Sequence, residues 1–123
     1  MKLEFSKQEQ LSIQYLVQCL IKADGLVLPE ENVCWNTISL KMKWEESAPE
    51  VLETVDFHDA IEIIVPMDED KKRFVKAFFF MIILADQHIA PEEMGLLQEI
   101  SKEAQLPEIP VADCASVLEQ YIQ

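Results

Sequence analysis

The nine residues Ala23-Asp24-Gly25-Leu26-Val27-Leu28-Pro29-Glu30-Glu31 return, 62 positions on, as Ala85-Asp86-Gln87-His88-Ile89-Ala90-Pro91-Glu92-Glu93. Each copy follows an apolar, helix-like stretch and precedes another, so the repeated object is a helix, a tight acidic elbow and a second helix. A chain built twice from that unit has few folds open to it.

The flanking patterns give the helices. Ser6-Lys7-Gln8-Glu9 matches a capping box, and Ile13, Leu16, Val17 and Leu20 mark one face of a helix from about 6 to 23. Pro29 suits the first turn of a second helix with Cys34, Ile38 and Met42 as its stripe, fading near Lys43. Ser47-Ala48-Pro49-Glu50 starts a short third helix with Val51, Leu52 and Val55 inside. Asp56 caps a fourth, where Phe57, Ala60, Ile61, Ile64 and Val65 fall at helical spacing until Pro66.

Asp68-Glu69-Asp70 opens a fifth helix, and its run from Ala77 to Ala85 is apolar on every side, which makes it the central one. A buried strand shares that composition, but the acidic start, the basic Lys71-Lys72-Arg73 and the length favour a helix. Pro91 opens a sixth helix with Leu97, Ile100 and Ala104 inward, ended by Leu106-Pro107. Val111, Cys114, Leu118, Tyr121 and Ile122 form the stripe of a last one, over about 111 to 122. Two glycines and no alternating segment leave no room for hairpins, so the expected fold is all-α, about seven helices in a compact bundle. One domain is expected: repeat 1 over about 6–44, bridging helices over about 47–66, repeat 2 over about 68–106, and the C-terminal helix.

Net charge is −13, spread evenly along the chain. A field of that sign repels phosphate backbones and anionic membrane surfaces, which argues against nucleic acid and leaves basic proteins and cations as partners. The apolar run from Ala77 to Ala85 is about half of what a membrane span needs, and no secretory signal is evident, so a cytoplasmic location is expected. Cys19, Cys34 and Cys114 are odd in number and widely spaced among apolar neighbours, which reads as buried, reduced thiols.

Asp24 and Asp86 fall near helix C-termini, where the helix end disfavours a carboxylate and calls for a compensating partner. One solution is structural: each aspartate caps its elbow, Val27 and Ile89 plug it into the core, and Glu30, Glu31, Glu92 and Glu93 complement the helix dipoles. The other is a divalent cation, calcium, magnesium or zinc, held weakly by Asp24, Glu30, Glu31, Asp86, Glu92 and Glu93 with water completing the shell. The spacing is not that of an EF-hand, since Leu26, Leu28, His88 and Ala90 stand where oxygen ligands belong, so a site must pool groups. His58 and Glu62 lie four apart but suit a solvated helix face. No nucleophile elbow, glycine-rich phosphate loop, H-E-x-x-H or C-x-x-C is present, so no enzymatic activity and no tightly held cofactor are expected.

Two copies of Ala-Asp-x-x-hydrophobic-x-x-Glu, each after an apolar helix and joined by short helices, resemble the TerB-like family of tellurite-resistance proteins and the similar N-terminal domain of DjlA-type, membrane-anchored J-domain co-chaperones. The resemblance runs from about residue 11 to residue 106. It implies a helical bundle with an acidic, metal-binding surface, working in stress-response or membrane-associated assemblies rather than in catalysis. By position it points to Asp24 with Glu30 or Glu31, and Asp86 with Glu92 or Glu93. Gln87 departs from the pattern, which has glycine there, and Leu28 and Ala90 lack the usual capping hydroxyl. The alternative function is an interaction or homodimerisation module working through apolar contacts at Trp35, Trp44 or Phe57, with purely structural elbows. A thiol enzyme acting on oxyanions would rest only on the three cysteines and the name of the family that the chain resembles.

Overall fold

The computed structural model describes residues 3–23, 25, 29–45, 49–85 and 90–122. Seven α-helices and a 3₁₀ turn, with no strand, account for the regular structure of these residues. In order they are α1 (Lys7–Lys22), α2 (Pro29–Lys41), α3 (Pro49–Leu52), α4 (Phe57–Ile64), α5 (Glu69–Leu84), α6 (Pro91–Glu103), the 3₁₀ turn (Val111–Asp113) and α7 (Cys114–Tyr121).

The duplication holds at the level of single hydrogen bonds. Helices α1 and α5 each have 16 residues and α2 and α6 each have 13, all in the same 62-residue register. Ser6 caps α1 by accepting from Glu9 N–H at 3.1 Å, and Asp68 caps α5 by accepting from Lys71 N–H at 2.9 Å. At the far ends of α2 and α6, Trp44 N–H donates to the Ser39 carbonyl and Leu106 N–H to the Ser101 carbonyl, both at 2.9 Å. These are Schellman closures, and the residues that turn the chain out of the helix, Lys43 (φ 60°) and Gln105 (φ 59°), both sit in the left-handed region.

The two copies interlock. Helix α2 packs mainly on α5, the first helix of the other copy, and α6 lies against both α5 and α1, while α4 covers α1 and α7 covers α5. Where α1 meets α5, Glu9 faces its own repeat counterpart: Lys71 Nζ lies 3.0 Å from Glu9 Oε1 and 5.2 Å from the centre of the Phe5 ring. A single core results. Ile13, Leu16, Leu20, Phe74, Phe78, Phe79, Ile82 and Ile83 are wholly buried, so α5 is central as its composition requires. Tyr121 ties α7 down by donating to Asp70 Oδ1 at 3.0 Å.

Some inward-facing assignments change. Trp35 is 3% exposed and stacks on Phe78 with ring centroids 5.6 Å apart, and half-buried Trp44 meets Phe5 at 5.3 Å. Trp35 is therefore a core residue, and Trp44 packs against the core from its edge. Val51 and Val111, expected inside, are 44% and 47% exposed, and Val117 takes the inward place on α7. Both exposed valines lie in the short connecting segments, where one turn of helix leaves too little surface to bury a full stripe. The start signal at Ser47-Ala48 and the elbow plugs Val27 and Ile89 lie outside the described residues.

Candidate functional site

Four of the six acidic residues of the corners are described, and they divide into two classes. Glu30 and Glu92, in the first turns of α2 and α6, are exposed. Glu31 and Glu93, one residue on, are 0% and 1% exposed. Asp24, Asp86 and His88 lie outside the described residues. The sequence reading treated all four glutamates alike, as complements of the helix dipoles or as cation ligands, and the burial of Glu31 and Glu93 separates them from Glu30 and Glu92. Each is the third residue of its helix, the position from which a glutamate can reach back to the unpaired N–H groups of the helix start. A carboxylate so placed belongs to the corner's internal structure, while its neighbour faces solvent.

The corners meet. Pro29, Glu30, Val33 and Cys34 of the first α2 turns line one open depression together with Met81 and Ala85, the end of the helix that leads into the second corner. Glu30 is thus the acidic edge of an otherwise apolar hollow. No group of three or more histidine, cysteine, aspartate or glutamate side chains suited to a metal ion occurs among the described residues, so pooled coordination at either corner would have to draw on Asp24 or Asp86.

Val33, in the wall of this hollow, belongs to the outer face of α2. Val33 and Leu40, seven residues apart and so on one side of the helix, are 61% and 77% exposed, with Thr37 exposed between them. The register-equivalent positions on α6 are Gly95, Glu99 and Lys102. Helix α2 therefore carries apolar residues on both faces, Trp35 and Ile38 inward and Val33 and Leu40 outward, where α6 carries them on one. Sequence reading passed over Val33 and Leu40; the signal available was their contrast with the second copy at the shared spacing.

The three cysteines are free thiols: Cys114 is buried and Cys19 and Cys34 are half-buried. Burial pushes the Cys34 thiol up to about 11 and raises Cys19 and Cys114 as well, with Tyr15 and Lys22 partly offsetting the rise at Cys19 and Lys76 that at Cys114. Protonated thiols are poor nucleophiles. His58 and Glu62 form an exposed pair, Nε2 to Oε1 3.1 Å, of a kind that contributes little. No helix among the described residues is long and apolar enough to cross a membrane.

PG1108, a protein of unknown function from Porphyromonas gingivalis W83 known from a crystal structure, shares this architecture with a TM-score of 0.81 at 23% sequence identity, over 97% of this chain and 93% of that one. At that identity the likeness establishes the fold alone. No protein-family model and no curated protein matches the chain.

Proposed function

We propose that this chain is a non-enzymatic binding module that recruits a basic, amphipathic protein segment onto the outer face of α2. One observation carries the reading: Val33 and Leu40 are exposed on a helix whose repeat counterpart presents Gly95 and Lys102. Apolar side chains kept in water on one of two otherwise matched helices mark a surface meant to be covered. The acidic edge at Glu30 and the net charge of −13 select the partner's sign. Raised thiol pKa values favour binding over covalent chemistry. The TerB-like resemblance points the same way, toward an assembly of the stress-response or tellurite-resistance type.

A labelled Lys/Leu amphipathic helical peptide is the direct probe. Saturable binding that weakens steeply with added salt, and that is lost when Val33 and Leu40 are both changed to serine, is the expected result. Equal binding by the double variant rejects the face, and a micromolar dimer by light scattering that the same variant abolishes would reassign it to self-association.

A second reading, a weakly held divalent cation at the corners, is favoured by the meeting of Glu30 with the end of α5. Calorimetric titration with calcium, magnesium and zinc should then give heats that fall in Glu30→Gln and Glu92→Gln. No heat below millimolar metal removes it.

A further inference from the structure

The two copies differ at three buried or half-buried positions, one along the first helix and the others at the inner face and end of the second. In the first copy the register-equivalent positions hold Gln14, Trp35 and Trp44; in the second they hold Lys76, Leu97 and Leu106. The tryptophans are packed into the aromatic core against Phe74 and Phe78. The leucines are smaller, and beside them opens a cavity of about 510 Å³, within the ~300–1,000 Å³ range of small-molecule sites.

Lys76 enters this cavity from α5. It is 7% exposed, its Nζ donates to Ser101 Oγ at 2.6 Å, and it lies 5.4 Å from the centre of the Phe80 ring. Gln14, its neutral counterpart, is also buried, at 3% exposure. The second copy has therefore placed a cation where the first makes do with an amide, in a protein whose overall charge is strongly negative. A buried ammonium is costly unless paired and hydrogen-bonded. Burial lowers the Lys76 pKa, and Glu108 and Cys114 offset that only in part.

We propose that this cavity binds a small monoanionic carboxylate with an apolar body, its oxygens accepting from Lys76 Nζ and Ser101 Oγ and its body lying against Phe80, Leu97, Leu106 and Ile109. The head group is a carboxylate rather than a phosphate because the site offers one buried ammonium and one hydroxyl, and Glu108 in its wall repels a dianion. The exposed Lys102 also borders the cavity and favours entry of an anion. The site is independent of the α2 face, and neither proposal depends on the other.

The test is titration of the full chain with octanoate, octan-1-ol and octyl phosphate, read by calorimetry and by methyl NMR. Octanoate should bind saturably, shift the methyl signals of Leu97, Leu106 and Ile109, and bind at least about tenfold more tightly than the other two. Lys76→Gln, which restores the first copy's residue, should reduce octanoate affinity by about tenfold or more while leaving octanol unaffected. Absence of saturable octanoate binding, shifts confined to other methyls, or octanol binding as tightly as octanoate overturns the proposal, and these readouts on the unaltered chain stand even if the variant fails to fold. A folded Lys76→Gln protein that binds octanoate unchanged overturns it equally.

Discussion

Lys43 and Gln105 close α2 and α6 with a backbone conformation that costs a residue bearing a Cβ about 1–2 kcal/mol. Glycine removes that cost and returns part of the gain as extra freedom of the unfolded chain, so Lys43→Gly and Gln105→Gly should each stabilise by about 0.5 kcal/mol. Gly25 has φ 80° and nothing within 4 Å of where a Cβ would stand. Gly25→Ala should therefore destabilise by about 1 kcal/mol through the backbone alone. Urea midpoints at constant slope check both signs. Titration gives a second handle. The Cys34 thiol is held above its ordinary 9.0 at about 11 by burial, so the folded chain binds this proton more tightly than the unfolded chain. That contribution is complete below pH 9 and is lost as pH rises toward about 11. Lys76 has the opposite sign: its pKa is lowered by burial, so its ammonium weakens the fold at lower pH and the penalty lifts as it deprotonates. Cys34→Ala should flatten the alkaline decline in melting temperature relative to the unaltered chain, and a parallel decline in both would contradict the assignment.

At the scale of the element, helix starts and stops were legible because they are written locally. Ser6 and Asp56 cap the helices they were expected to cap, the acidic run from Asp68 opens α5 with Asp68 as its cap, and Pro29 and Pro91 open theirs. The all-α bundle follows from that. Periodicity assigned Cys34, Ile38 and Met42 to the inner stripe of α2, and all three pack on the core, but it did not place Trp35 inside or Val33 and Leu40 outside. The arbiter is α5: Trp35 stacks on Phe78, and that long-range contact turns Glu31 and Ile38 inward and leaves Val33 and Leu40 in water. The stability of the two faces should differ accordingly. Ile38→Ala, removing a side chain 7% exposed, should cost about 2–4 kcal/mol, whereas Val33→Ser and Leu40→Ser should each stay within about 0.5 kcal/mol. Comparable losses at both faces in chemical denaturation would mean that α2 is packed on both sides. The buried glutamates were illegible for the same kind of reason, because Glu30 and Glu31 are chemically identical neighbours and only the rotation of the helix separates them.

For the molecule as a whole, the repeat made the two-copy construction readable, but not the way the copies share a core. A shift of 62 residues aligns α1 with α5 and α2 with α6 without saying which helices touch. The contacts cross over: α2 packs on α5, α6 reaches α1 as well as its own α5, and the Glu9–Lys71 pair joins one position to its own equivalent. Neither half then possesses a complete core. Residues 1–66 alone would leave Trp35 without Phe78 and Phe5 without Phe74, and residues 67–123 would leave the apolar surface of α5 without α1 and α2. A chain of ~60 residues is marginal even when its core is its own, burying only about 60% of its surface on folding. Each half should accordingly be unfolded or self-associated when made separately, with collapsed amide dispersion in NMR spectra, while the intact chain unfolds in one cooperative step seen identically by tryptophan fluorescence and far-ultraviolet circular dichroism. Mixing the halves in equal amounts should restore dispersion, since the crossing contacts are the ones each lacks. A half that folds as a monomer by itself would place the core within the repeat, and the interlocking of the two copies would then be a consequence of their folding rather than its condition.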